Sequence, residues 1–218
     1  MDKASIATGT KPLNKGQRTA ARILDVAEAL FAQQGYGATS LRDIAARADI
    51  QQPGLYKHFA GKDDLYRRVY ERALAPVTAL MDDILAGPDE HFDHLTDRMT
   101  DLLALHPNIA RLLARAAMAS DDEPDEVAAE WLSRLVGYGR QLTAKAGVVA
   151  DDRLLAVQIV ATFNMLFGFF WASPLVASLS GRAATEPDML MLQKAVARAM
   201  IGGFGARAEP LIDAGISE

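Results

Sequence analysis

Residues 39–62 read TSLRDIAARADIQQPGLYKHFAGK, and this stretch decides the fold of the chain. Its first apolar positions recur at three- and four-residue steps, which predicts a short helix with one narrow buried face. These positions are Leu41, Ile44, Ala45 and Ala48. Thr39 or Ser40 precedes them and can cap the helix with a side-chain oxygen. The small alanines allow a second helix to cross closely, so the stretch predicts two packed helices.

The second helix is predicted to begin near Gln51, after a turn at Asp49, because aspartate tolerates the left-handed conformation better than a β-branched residue. Pro53 falls in its first turn, where the missing N–H costs nothing. Leu55 and Phe59 are expected to face inward. The outer positions carry amides, a phenol, a cation and an imidazole but no carboxylate: Gln51, Gln52, Gly54, Tyr56, Lys57 and His58. Such groups suit base edges and phosphates, and the pair has the outline of a helix-turn-helix, although an ordinary helical hairpin has the same spacing.

A longer motif, IAxxAxIxxxxLYxHFxxKxxL, runs through the same stretch. It is carried by Ile44, Ala45, Ala48, Ile50, Leu55, Tyr56, His58, Phe59, Lys62 and Leu65. This motif resembles the DNA-binding domain of the TetR/AcrR family of transcriptional regulators, over roughly residues 17–77. The chain differs at Asp49, where the family commonly has glycine, and at Gln51, Pro53 and Gly54, which replace a serine cap and a Gly-Thr type pair. These positions set sequence preference, so the resemblance does not identify the operator.

The predicted DNA-binding residues lie in or beside this motif: Thr39, Arg42, Gln51, Gln52, Gly54, Tyr56, Lys57, His58 and Lys62. Phosphate contacts are expected from Tyr56, His58 and Lys62, and base-edge contacts from Gln51, Gln52 and Lys57. The resemblance implies that Lys62 opens the fourth helix and contacts the DNA backbone. Free N–H groups and the positive end of the helix dipole favour an anion there. A simple helix start, with Asp63 and Asp64 in its first turn, fits the same residues.

Composition favours an all-α fold, because half of the 218 residues are apolar, leucine and alanine are plentiful, and β-branched residues are few. A chain of this length can bury a substantial core in one or two domains. The absence of cysteine excludes disulfides and thiolate metal sites and is compatible with the cytoplasm, where we expect the protein to act. The amino-terminal residues lack an apolar run, so no secretory signal is predicted.

Charge is divided unevenly along the chain. Residues 1–72 carry 12 Lys and Arg against 8 Asp and Glu, whereas residues 73–218 carry 11 against 20. A basic end is attracted to a polyanion and an acidic body is repelled by it, despite a net charge of −5. The amino-terminal part is therefore the part expected to dock on DNA.

Three segments are predicted: a flexible arm over 1–15, a three-helix helix-turn-helix domain over 16–76, and a ligand-binding and dimerisation domain over 77–218. The first helix is expected to run to residue 34, because Gly35 supplies a left-handed stop. The fourth helix is expected over residues 62–86. Pro76 lies inside it and is predicted to kink or break it, which marks the domain boundary and a candidate hinge.

Beyond residue 87 the pattern is helical throughout, giving about nine helices in all. The expected spans are 88–106, 107–119, 124–146, 151–172 and 187–201, the fourth stopped by Pro174 and the last by the glycines that begin at Gly202. The span 151–172 is the most apolar. Its length approaches that of a membrane-spanning helix, but polar residues interrupt it and no basic cluster accompanies it, so a membrane is not expected as a partner.

A helix that is apolar on nearly every side needs burial on nearly every side. We therefore expect the span 151–172 and the last helix to form a four-helix homodimer interface, as the family resemblance also implies. The predicted interface residues are Leu166, Phe170, Leu192, Val196 and Met200.

The resemblance further implies a pocket for a mainly apolar small molecule in the acidic domain. Candidate lining residues are Met99, Leu103, Trp131, Tyr138, Phe163, Asn164, Phe167 and Trp171. Ordinary core packing explains each of these residues individually, and nothing in them names the ligand.

No catalytic constellation is present among the familiar motifs, and no cofactor is expected. His91, His94 and His106 are interpreted as exposed side chains rather than as metal ligands. The sequence thus predicts a homodimeric transcriptional regulator, more often repressing than activating, that binds a palindromic operator in double-stranded DNA and responds to an unknown small molecule. A helical small-molecule-binding protein or enzyme without DNA binding is the alternative.

Overall fold

The computed structural model describes residues 14–88, 94–117, 126–145, 147 and 152–213, and all regular secondary structure in these ranges is helical. The helices are α1 (Lys15–Gln34), α2 (Leu41–Arg47), α3 (Gln52–Leu55), α4 (Lys62–Ala86), α5 (Leu95–Leu105), α6 (Pro107–Ala117), α7 (Glu126–Lys145), α8 (Asp152–Trp171), α9 (Ser173–Ser180) and α10 (Pro187–Asp213). The predicted all-α fold is confirmed, with ten helices in the described ranges where about nine were expected.

Local signals in the sequence fix both ends of α1. Asn14 caps it by accepting a hydrogen bond from the backbone N–H of Gln17, whose side chain in turn accepts one from the N–H of Asn14. Gly35 ends the helix with a φ of 82°, a conformation that costs glycine little. Residues 1–13 of the predicted arm lie outside the described residues, and residue 15 already belongs to α1.

The turn between α2 and α3 forms as the sequence predicts. Asp49 has a φ of 51° and is the non-glycine residue with a positive φ in the described part of the chain. Ser40 caps α2, because its Oγ accepts the N–H of Asp43 at 3.1 Å. Ala45 and Ala48 are buried where the two helices cross, so their small size permits the close packing.

Helix α4 continues through Pro76, so the predicted break is wrong, whereas the predicted kink stays a prediction. The carbonyl of Arg72 loses one backbone donor, but the buried face on either side of the proline keeps the helix intact. That face comprises Leu65, Tyr66, Val69, Tyr70, Ala73, Leu74, Val77, Leu80 and Ile84. Helix α4 packs against α1, α5, α6 and α7.

The core is continuous from α1 to α10, since the buried apolar residues of the described helices form one cluster. Helix α8 packs against α5, α6, α7 and α10 and lies at the centre of the acidic part of the chain. Lys145, at the end of α7, donates hydrogen bonds to the carbonyl oxygens of Ile84, Leu85 and Gly87 and so caps the end of α4. The predicted boundary at Pro76 stays a prediction.

Three boundaries in the acidic part were predicted wrongly. Residues 173–180 form α9, because Pro174 occupies the first turn of a new helix instead of only ending the previous one. The last helix continues to residue 213 through the glycines that were expected to stop it. Glycine weakens a helix by about 1 kcal/mol but does not forbid it. The expected start of α5 at Pro88 is a third error, because α5 begins at Leu95 and neither Pro88 nor His94 is helical; residues 89–93 between them lie outside the described residues.

Replacing Asp49 with valine should destabilise the protein, because a β-branched side chain is strained at a φ of 51°. We expect a loss of about 1–2 kcal/mol in the free energy of unfolding, measured by urea denaturation. Asp49→Gly is the matched control and should cost little, since glycine adopts this conformation freely. Equal stabilities for the two variants would show that the positive φ at residue 49 does not disfavour a β-branched side chain.

Candidate nucleic-acid interface

The surface between α2 and α4 presents most of the predicted DNA-binding side chains to solvent. Leu55 and Phe59 are 0% and 3% exposed and anchor the segment to the core, as predicted. Gln51, Gln52 and Lys57 are exposed, as is Tyr56 at 53%. The remaining predicted positions in this segment, Gly54 and His58, are half-buried. Helix α3 is only four residues long, so the side chains from Tyr56 to His58 project from the turn that follows it.

Helix α2 contributes two exposed cations, Arg42 next to its capped amino end and Arg47 in its last turn. Thr39, by contrast, is 1% exposed, and its hydroxyl donates a hydrogen bond to the carbonyl of Gly35 at 2.7 Å. The predicted DNA contact of the Thr39 side chain is therefore corrected: Thr39 closes the loop between α1 and α2, and the neighbouring Ser40 is the exposed cap.

Lys62 lies at the first position of α4, where Gly61 provides no side-chain cap for the helix N–H groups. Its ammonium group sits 4.0 Å from the centroid of the Tyr36 ring, a cation–π contact. Partial burial lowers the pKa of Lys62, and the nearby carboxylate of Asp63 opposes this shift. The Lys62 ammonium group is thus held over the Tyr36 ring at the amino end of α4. The free N–H groups and the helix dipole favour an anion at the same place.

Tyr36 is itself held by aromatic packing. Its ring stacks on Phe31 with a centroid distance of 6.2 Å and meets Tyr66 edge-on at 4.9 Å. Its hydroxyl donates a hydrogen bond to the carboxylate of Asp63. Tyr36 therefore ties the start of α4 to the end of α1.

Polar contacts fasten α1 to the acidic part of the chain. Arg72 of α4 pairs with Asp25 at 2.7 Å and with Glu28 at 2.9 Å. The other carboxylate oxygen of Glu28 accepts a hydrogen bond from Asn108 of α6 at 3.1 Å. Arg115 of α6 donates to the carbonyls of Ala32 and Gln33 in the last turn of α1. Sequence reasoning missed these residues, because partners 44 to 83 positions apart leave no periodic signal.

The predicted ligand-pocket residues divide into core and surface positions. Met99, Leu103, Trp131 and Phe167 are buried, and Phe163 is half-buried and stacks on Phe167 at 4.6 Å. This packing agrees with the alternative that these residues are ordinary core.

The three remaining candidates for the pocket lie outside the buried core. They are Tyr138, Asn164 and Trp171. The Tyr138 hydroxyl donates to Asp82 at 2.7 Å, and this hydrogen bond raises the pKa of Tyr138. Asn164 is exposed on the outer face of α8, so its predicted place in an interior pocket is corrected. Trp171 is 46% exposed at the end of α8.

Two depressions in the described surface bear on this set of residues. One, of about 320 Å³, lies between α5 and α10 and is lined by Asp101, Pro187, Leu190, Met191, Lys194 and Arg198. The other, of about 410 Å³, is lined by Ala32, Gln33, Arg111, Arg115 and Trp171. Of the predicted pocket residues, only Trp171 lines either depression.

The structure corrects two of the five predicted residues of the dimer interface. Leu166 and Phe170 are 3% and 2% exposed, so they face the core of their own chain. Leu192, Val196 and Met200 are exposed on α10, each by about half of its surface. Sequence reasoning missed the exposed apolar residues on the other side of α8, Val157 and Val160. A helix that is apolar all round does not reveal which side its own chain covers.

Comparison with known proteins identifies the family. The model for bacterial regulatory proteins of the tetR family matches residues 23–69, the segment that contains α2, α3 and the start of α4. The HTH-type transcriptional repressor Rv3405c of Mycobacterium tuberculosis is 34% identical over 195 residues, covering 88% of this chain and 95% of that protein. This chain belongs to the TetR family. As a member of it, the chain is a DNA-binding transcriptional regulator.

More distant relatives agree with this assignment. The HTH-type transcriptional repressor SCO4008 of Streptomyces coelicolor is 25% identical and covers 90% of this chain and 91% of its own length. A TetR transcriptional regulator of Legionella pneumophila superposes with a TM-score of 0.61 at 20% identity, covering 88% of this chain and 99% of that one, which shows the shared fold. The TetR/AcrR resemblance is confirmed, and the enzyme alternative is not favoured.

Tyr36→Leu should weaken binding to duplex DNA, because it removes the ring beneath the Lys62 ammonium group. We expect a loss of about 0.5–1 kcal/mol, measured by fluorescence anisotropy at low salt on a labelled duplex of arbitrary sequence. Tyr36→Phe keeps the ring, loses only the hydroxyl bond to Asp63, and should retain most of the affinity. In a Lys62→Met background, Tyr36→Leu should have no further effect; a full additional loss would disprove the positioning of Lys62 by Tyr36.

Proposed function

We propose that this TetR-family regulator is a ligand-responsive repressor that binds a palindromic operator as a homodimer. The observation that carries the proposal is a solvent-exposed surface of amides and cations on residues 51–58, held in place by two buried anchors, Leu55 and Phe59. Amide and guanidinium or ammonium groups are the ones that read base edges and neutralise phosphates.

The proposed roles within this surface follow from exposure and reach. Gln51, Gln52 and Lys57 are exposed and are assigned to base edges in the major groove. The phosphate contacts are assigned to the flanking groups, which are Arg42, Tyr56, His58 and Lys62. Gly54 lies between the two sets without a side chain and lets the backbone approach the DNA. Thr39 is left out of this assignment because it is buried.

Dimerisation is proposed through α8 and α10. Six large apolar side chains on these helices are 47–66% exposed in the single chain: Val157, Val160, Met191, Leu192, Val196 and Met200. Of the residues in the window Arg153–Trp171, 17% are buried inside the chain, although this segment is apolar enough to cross a membrane. A second copy covers such a surface without a membrane, and contiguous exposed apolar area marks an interaction site.

The two-fold symmetry of such a dimer then determines how the two half-sites of the operator are arranged. An interface in which the same helices meet their own copies is isologous, so the two reading surfaces are related by a two-fold axis. Each reads one half-site, and the half-sites are inverted repeats about one helical turn or somewhat more apart, on the order of 34–36 Å for adjacent turns.

The proposed response to a ligand depends on α4. This helix begins with Lys62 at the DNA surface, and its far end is capped by Lys145. A mainly apolar molecule bound among the side chains around Met99, Leu103 and Phe167 would change DNA affinity only if it prefers one separation of the two reading surfaces. Repression is proposed because a protein that occupies a promoter needs no further contact with polymerase. Such a protein acts in the cytoplasm.

Substitutions of Lys62 and Gln52 should separate the roles of the two side chains on DNA. Lys62→Ala should weaken binding to all duplexes and lower the slope of log affinity against log salt by about one, because one phosphate contact is lost. Gln52→Ala should instead relax preference at one base step, by about 1–3 kcal/mol, on fragments selected from the source genome. If both variants match the parent protein in salt dependence and in preference, this assignment of roles is wrong.

Val196→Glu should convert the dimer into folded monomers, because it places a charge at the centre of the proposed α10 surface. Multi-angle light scattering after size-exclusion chromatography measures the mass, and circular dichroism checks the helical content. Leu105→Glu is the matched control: Leu105 is apolar and 78% exposed but lies on α5 outside the proposed interface, and the variant should stay dimeric. A dimeric Val196→Glu protein would place the interface elsewhere.

A further inference from the structure

The depression of about 410 Å³ lies where the end of α1 meets α6 and the end of α8. Its lining residues are of three kinds: two arginines, one tryptophan and two residues from the last turn of α1. They are Arg111, Arg115, Trp171, Ala32 and Gln33. Arg111 and Arg115 are one helical turn apart on α6, so both side chains reach the same side of that helix. This place is separate from the core residues assigned above to the effector and from the DNA surface.

Among the residues that the structure describes, no carboxylate neutralises the positive charge of this depression. Arg111 is half-buried, and in the described part of the chain no carboxylate or carbonyl pairs with it. Arg115 donates to the carbonyl oxygens of Ala32 and Gln33, which are neutral acceptors. No carboxylate is among the lining residues. The depression therefore holds two like charges, although residues 73–218 carry an excess of nine acidic groups.

The other depression provides a contrast within the same molecule. Its two cations are paired: Lys194 forms a salt bridge with Asp101, and Arg198 lies 3.5 Å from the carboxylate of Asp97. Those charges are balanced, and an anion would have to displace a carboxylate to bind there. At Arg111 and Arg115 an anion meets no competing carboxylate from the described residues.

We propose that the depression formed by Arg111, Arg115 and Trp171 binds a small aromatic carboxylate. Guanidinium groups present planar pairs of donors that match the two oxygens of a carboxylate. The half-exposed indole supplies a flat apolar surface on which an aromatic ring packs. A volume of about 410 Å³ accommodates a molecule of that size.

The test is calorimetric titration of the full-length protein with 2-naphthoate, using the neutral 2-naphthamide and inorganic phosphate as comparison probes. We expect one site per chain for 2-naphthoate and at least tenfold weaker binding for each comparison probe. Equal binding of the amide would overturn the role of charge. Equal binding of inorganic phosphate would overturn the role of the aromatic ring and leave a general anion site.

Variants locate the binding. Arg111→Gln should weaken 2-naphthoate binding at least tenfold, and it spares the bonds by which Arg115 holds α1. Arg140→Gln is the matched control, an exposed arginine of α7 outside the depression, and should bind like the parent. Trp171→Leu changes an exposed residue and should also weaken 2-naphthoate binding. It provides an independent test if the Arg111→Gln variant does not fold. Unchanged binding in Arg111→Gln or in Trp171→Leu, or no binding to the parent protein at millimolar probe, would overturn the proposal.

Discussion

The structure depends on a single helix, α4, being buried along its whole length by two different sets of neighbours. It packs on α1, α5, α6 and α7. Its amino-terminal half already reaches the acidic part of the chain, since Arg67 pairs with Glu130 of α7 and the Tyr70 hydroxyl donates to the Leu112 carbonyl of α6. Fully burying one large aliphatic side chain stabilises a fold by about 1.5–3 kcal/mol, and α4 contributes Leu65, Val69, Leu74 and Ile84 without exposed surface. The two parts of the chain therefore share one core, and neither keeps its apolar surface covered without α4.

This shared helix explains why a very short α3 is sufficient at the reading surface. Four residues form no independently stable helix, and their position is set by Leu55 and Phe59 inserting into the core beside α4. The same core fixes Tyr36, and Tyr36 in turn fixes the direction of Lys62. The exposed polar groups are thus pre-organised by apolar packing behind them, which lowers the entropy cost of ordering them on a ligand.

The sequence predicted local features well and long-range features poorly. Helices α1 and α4 begin or end within a residue of expectation, because Gly35, Gly61 and the apolar period act locally. The left-handed turn at Asp49 was also predicted correctly, because the residue type at a turn is a local signal.

Errors arose where a local signal has two meanings. Pro174 ends one helix and starts another, and a helix that is apolar on all sides, such as α8, does not distinguish Leu166 in the core from Val160 outside it. The contacts of Glu28 with α4 and α6 depend on tertiary packing, which no periodicity records.

The contacts of Glu28 also limit how the molecule can respond to a ligand. One oxygen of Glu28 is bound by Arg72 of α4 and the other by Asn108 of α6, so α1 is held by both helices through a single carboxylate. A displacement of α6 relative to α4 stretches one of these bonds, unless α1 moves as well. Movement in the acidic part must therefore either break a charge-assisted hydrogen bond or carry α1 and the reading surface with it.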